Sequence, residues 1–143
     1  MTEINKNTTK NSTIEIHILR MNVDKTRRAD KSGIIYNVYF QLSGIPAPVW
    51  KTIFEREWKV LMRSSQSKVK ITETNLQRGF LVIRCPLLEV GSVHLPVIKD
   101  AIAATNVEYE QYLLLQEADR VRKENVWKDE RNAVNQVSES LQL

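Results

Sequence analysis

Four side chains of this 143-residue chain have chemistry to offer and no evident structural duty: Glu57, Cys85, His94 and His17. On a helical wheel Glu57 falls between Ile53 and Leu61, inside the apolar arc and not at its edge. A carboxylate placed there needs a partner on the sheet, such as Arg84, Arg20 or His17, or has its pKa raised by desolvation. Glu57 is thus a buried-charge candidate, and a structural ion pair or a side chain reaching past the helix end to water is the plainer reading of it. Cys85 with a histidine would make a thiol and its base, but no spacing brings the two together. A cysteine that closes an apolar strand reads as a small buried residue. His94, near a helix start, reads as a capping or exposed residue, and His17 as a solvated or hydrogen-bonded one. The chain shows no Gly-rich phosphate loop, no paired CxxC and no histidines at metal-ligand spacing. It therefore predicts no catalytic residue, no metal site, no cofactor and no enzyme.

A second group suits binding. Lys25, Arg27, Arg28 and Lys31 sit in the polar stretch Asp24 to Gly33, expected to be an exposed hairpin loop able to grip phosphates. Tyr39, with Asn37 and Gln41 on the same strand face and Lys70 on another strand, would stack on bases and hydrogen-bond them. Asp24 and Asp30 offset part of the loop's charge.

A third group suits self-association. Tyr109 and Tyr112 belong to a helical run that is apolar on several faces. Trp127, Val134, Val137 and Leu141 recur at helix-like spacing beyond a strongly charged segment.

Composition sets the frame for these residues. The chain is 42% hydrophobic and 27% charged, the balance of a soluble globular protein. No apolar run approaches the roughly 20 residues that span a bilayer, and no signal-peptide core opens the chain, so a cytoplasmic protein without membrane contact is expected. The lone Cys85 excludes an internal disulfide. The net charge of +4 is uneven, with a basic excess before residue 107 and an acidic excess after it.

Periodicity supplies the elements. Residues 1–12 read as a mobile tail. Residues 13–23 alternate as a strand whose phase changes near Leu19, which predicts either a bulge or a strand buried on both sides there. Ile34 to Leu42 is the returning antiparallel strand. Residues 49–63 are helical behind a Pro-rich start, with Trp50 and Trp58 placed to anchor the helix on the sheet. Residues 69–74 alternate as a strand, 75–79 turn, and Phe80 to Cys85 form the most apolar strand. A helix begins near Ser92 or Pro96, and Thr105-Asn106-Val107-Glu108 has the form of a capping box that would break it, although one continuous helix fits the same residues. Pro48-Val49-Trp50-Lys51 and Pro96-Val97-Ile98-Lys99 open the two halves alike; the commonness of Pro in a first helical turn is the plainer reading, and an internal duplication the other.

The fold class expected is α+β: a four-stranded, mainly antiparallel sheet in β-β-α-β-β-α-α order, with helices on one face and a long C-terminal helix. Residues 13–121 form the domain and residues 122–143 a charged helical extension. A small fold with an uncovered sheet face and surplus apolar helix points to a non-enzymatic interaction module that forms a homodimer. The alternative is a protein that binds RNA or single-stranded DNA.

Overall fold

The computed structural model describes residues 15–31 and 33–142; the expected tail and the start of the first expected strand lie outside them. The chain divides into two compact units, Met1–Tyr109 and Glu110–Leu143.

The first unit has the expected α+β architecture. Its strands are β1 (Ile18–Met21), β2 (Arg27–Arg28), β3 (Ile35–Leu42), β4 (Leu76–Gln77) and β5 (Phe80–Pro86). Neighbours pair antiparallel in the order β1-β3-β5-β4, and β2 also pairs with β3. The expected bulge is present, as a register shift between Ile18 and Arg20. It leaves Ile18 and Met21 opposite Leu42 and Phe40 on one face, and Arg20 opposite Gln41 on the other.

β1 and β2 follow one another along the same edge of β3, and the chain from Asn22 to Thr26 leaves the ladder between them. Tyr39 opposite this gap keeps both backbone bonds: its carbonyl accepts from the Asn22 N–H at 2.7 Å, and its N–H donates to the Thr26 hydroxyl at 3.1 Å. The expected single loop from Asp24 to Gly33 is therefore corrected. Arg27 and Arg28 are strand residues opposite Asn37 and Tyr36, because β3 offers their backbones partners.

One sheet face is apolar by simple alternation: Val38, Phe40 and Leu42 of β3, with Leu81, Ile83 and Cys85 of β5, are all buried. Helix α1 (Pro48–Ser64) covers it. Pro48 occupies the first turn, where a missing N–H costs nothing, and Trp50, Ile53, Phe54 and Trp58 point inward. Trp50 stacks on Phe54 with ring centroids 5.4 Å apart, and the Trp58 indole donates to the Val69 carbonyl at 3.0 Å. A turn of π-helix (Val90–His94) leads into helix α2 (Leu95–Ser140), whose Ile98, Ala101 and Ile102 complete the core.

Two expected features give way to tertiary bonding. Residues 69–72 are irregular where a strand was expected, and a 3-10 turn (Glu73–Asn75) follows them. There the Glu55 carboxylate takes the Glu73 N–H at 2.7 Å, a bond that, with Lys59 beside it, lowers its pKa. Asn75 accepts from the Thr72 N–H and donates to the Val82 carbonyl at 2.6 Å, standing in for ladder bonds, and β4 forms where a turn was expected.

The expected break at Thr105-Asn106 is absent, and α2 runs through it. Instead of capping, the Thr105 hydroxyl donates to the Ala101 carbonyl one turn back at 2.6 Å. Asn106 turns its amide inward. Its Oδ1 accepts from the Ile16 N–H and the Trp50 indole N–H, both at 3.0 Å, and its Nδ2 donates to the Ile16 carbonyl at 2.9 Å. Replacing Asn106 by Ala orphans three buried polar groups. A loss of about 2–4 kcal/mol is expected in urea unfolding of Asn106→Ala, against less than about 0.5 kcal/mol for the exposed control Lys99→Ala.

Candidate functional site

The two sheet faces differ in kind. Residues directly opposite each other in a ladder share a face, so pairing alone assigns the face turned away from the helices. Arg27, Asn37 and Arg84 form one cross-strand row on it, and Arg20, Gln41, Phe80 and Gln77 another, with Tyr39 opposite Val82 between them. None of the five strands contains an Asp or Glu.

The Asn22–Thr26 excursion builds the centre of this face. Asn22 Oδ1 accepts from the Lys25 N–H at 2.9 Å, and the Thr26 hydroxyl donates to the Asn22 carbonyl at 2.8 Å, closing a tight loop. The loop carries Lys25 Nζ over two rings, 5.7 Å from the Tyr39 centroid and 5.3 Å from that of Phe80. Tyr39 and Phe80 meet edge to face at 5.9 Å. A cleft of about 510 Å³, lined by Lys68, Lys70, Thr72, Thr74, Asn75 and Arg84, adjoins the face through Arg84.

Of the residues expected to bind nucleic acid, Lys25, Arg27 and Tyr39 come together on this face, and Lys70 lies in the cleft. Arg28 pairs with Tyr36 and faces the other way, and Lys31 is exposed in the connection to β3. Sequence reasoning missed Arg20, Phe80 and Arg84. Alternation in β5, with Phe80, Val82 and Arg84 against Leu81, Ile83 and Cys85, was the signal for two of them.

Of the residues expected to self-associate, Tyr109 is half-buried against the core of the first unit and Tyr112 is half-buried. Trp127, Val134, Val137 and Leu141 are all exposed, as is every residue from Arg120 to Gln142. At the start of this exposed stretch the helix carries its own ion pairs: Arg120 with Glu117 and Glu124, and Asp119 with Lys123 and Arg122.

Of the catalytic candidates Cys85, His94 and His17, only His17 stands apart. His17 is exposed beside Glu15 at 3.3 Å. His94 is buried at 4% exposure, contrary to the expected capping or surface position. Its Nδ1 lies 2.8 Å from the hydroxyl of the fully buried Ser67, and its Nε2 lies 3.1 Å from a Glu89 carboxylate oxygen. Cys85, His94 and Glu89 line one cavity of about 250 Å³. A serine sealed from solvent has no substrate to attack, and burial pushes the Cys85 thiol up to about 11, aided by the nearby Glu89 charge. The Ser67-His94-Glu89 chain therefore ties the segment after α1 to the turn before α2. Among the described residues no three His, Cys, Asp or Glu side chains converge as metal ligands.

Glu57 is half-buried, and its partner is another carboxylate, not the expected Arg84, Arg20 or His17. Its pKa is raised, first by a hydrogen bond to Glu108, then by burial and by the Glu108 charge. Arg56 holds Glu108 in an ion pair. A hydrogen bond between two carboxyl groups needs a proton on one of them, and the raised pKa of Glu57 places it there.

The chain matches no family model, no curated protein and no solved structure. No helix among the described residues is long and apolar enough to cross a membrane.

Two measurements follow from these environments. A raised folded pKa means that the folded state holds the Glu57 proton more tightly than the unfolded chain. That contribution is complete below the unfolded value near 4.5 and is lost as pH rises through the folded value. Glu57→Gln should accordingly raise Tm at about pH 7 and lose that advantage below about pH 4.5, read by circular dichroism. Cys85 should resist a thiol reagent at about pH 8 in native buffer and react fully in denaturant. Rapid native labelling would contradict its burial.

Proposed function

We propose that this chain is a self-associating assembly module whose helix α2 pairs with the same helix of a second copy. The observation that carries this reading is the exposed apolar stripe past Arg120, since a solitary helix is only marginally stable in water. Leu113, Arg120, Trp127, Val134 and Leu141 recur every seven residues. Tyr109, Gln116, Lys123, Glu130 and Val137 fill the second seam position of the same heptads.

Charge along the seam argues for antiparallel pairing. Parallel helices in register would set Arg120, Lys123 and Glu130 each against its own copy. An antiparallel register sets Leu113 opposite Val137, Arg120 opposite Glu130 and Trp127 opposite Lys123, every contact occurring twice by symmetry. Trp127 already accepts a cation on its ring, with the Arg131 guanidinium 5.7 Å from the centroid.

Sedimentation equilibrium at tens of micromolar should return twice the chain mass of 16.6 kDa. Trp127→Glu with Leu141→Glu should return a single mass without lowering the melting temperature of the first unit. Arg120→Glu should weaken the pair, and adding Glu130→Arg should restore it, because the swap recreates both cross-pairs only when the helices run antiparallel. A single mass for the parent at these concentrations would refute the proposal.

A further inference from the structure

We infer that the sheet face turned away from the helices is a binding site for single-stranded nucleic acid. Bases would stack on Tyr39 and Phe80, and phosphates would meet Arg20, Lys25, Arg27 and Arg84. The inference stands apart from helix pairing, because it rests on a different surface and on different residues.

Charge is the first argument. Among the described residues, none of those four cations has a carboxylate partner. On the helices Arg56, Lys59, Arg120, Arg122 and Lys123 have one, while Lys51, Arg63, Lys99, Lys128 and Arg131 show none among the described residues, so the sheet face differs in lacking any paired cation. Arg27 and Arg84 flank β3 from two sides, roughly 10 Å apart at two strand spacings. With no acid on any strand between them, they repel each other unless an anion intervenes. The nearest carboxylate in sequence, Asp24, lies on the loop beside Lys25. Like charge gathered on a surface without counter-charge is the footprint of a polyanion.

The rings narrow the class of polyanion. Tyr39 and Phe80 are only half-buried, on a face where packing against the helices gives them no role. What lies over them is the flexible, exposed Lys25 side chain, which can move from ring to phosphate when a base takes its place. Beside the rings, the amides of Asn37 and Gln41 make no hydrogen bond among the described residues, which leaves donors and acceptors for base edges. A duplex hides its base faces, so rings add nothing to binding one. A strand with unstacked bases uses both features. The adjoining cleft, with Lys68 and Lys70 beyond Arg84, continues the cationic track for the sugar-phosphate backbone.

The test is fluorescence anisotropy of the full chain with labelled uridine and thymidine oligomers of about twelve nucleotides. Runs at about 50 and 200 mM salt, with a duplex and heparin as competitors, separate the contributions. Single strands should bind, and binding should weaken steeply with salt. Tyr39→Leu with Phe80→Leu should weaken binding by about tenfold or more while the salt slope is kept. Arg27→Gln with Arg84→Gln should lower the salt slope by about 1 to 2. Melting temperatures of both variants should match the parent, and Trp127→Glu with Leu141→Glu should leave the site in place. The tighter of the two oligomers names RNA or DNA as the ligand. Absence of binding at the lower salt would overturn the inference. So would equal affinity for heparin together with indifference to loss of both rings, which would mark a merely basic surface.

Discussion

One buried amide holds the first unit together. Asn106 sits on α2, yet its side chain closes both backbone bonds of Ile16, ahead of β1, and takes the indole N–H of Trp50 on α1. Three parts of the chain, remote in sequence, thus meet at a single polar group with 8% of its surface exposed. Each of these bonds is worth little net when made, but leaving the groups unmade in an apolar surround is costly. That asymmetry fixes where α2 must lie: one residue of rotation would remove the amide from all its partners. It also keeps the helix continuous at 105–106, because both residues direct their side chains inward and neither is free to cap.

Continuity there has a consequence farther along. Once α2 does not end at Thr105, nothing in its next turns stops it, since Gly and Pro are absent until the helix ends at Ser140. Between Glu117 and Glu124 its surface carries pairs three and four residues apart, and the apolar side chains farther along take no part in that arrangement. Local ion pairs therefore support one stretch of the helix, while the heptad recurrence of Trp127, Val134 and Leu141 concerns what the helix can meet.

The distribution of charge separates the two surfaces. Lys59, Arg120, Arg122 and Lys123 have carboxylates within reach because helical spacing brings i, i+3 and i, i+4 side chains together. Strand cations must find theirs across the ladder, and no strand supplies any. The loop between β1 and β2 deepens the contrast, for Thr26 lends a hydroxyl to the ladder so that Lys25 can leave it and lie over two aromatic rings. A hydrogen bond in the backbone thereby sets the position of a charge on the surface. On the opposite side of the unit, Glu57 and Glu108 show the reverse: two like charges brought together by packing, with Arg56 holding the second.

Strong periodicity was enough to read the α+β class, the antiparallel β1-β3 hairpin with its bulge, strand β5 and helix α1 behind Pro48, because each buries one regular face and the pattern of apolar residues is that face. The Trp50 and Trp58 anchors were legible for the same reason, as were Lys25, Arg27 and Tyr39 as surface residues. Short or polar segments were not. β2 and β4 are two residues each, too brief for any period, and exist because β3 and β5 present open backbone to them. Thr105-Asn106 has the local chemistry of a cap, and only the distant Ile16 and Trp50 make it the interior of a helix. His94 with Ser67, and Glu57 with Glu108, likewise met partners that no spacing along the chain reveals. Side-chain alternation is written in one dimension, whereas the satisfaction of a buried polar group depends on which remote atoms the fold delivers to it.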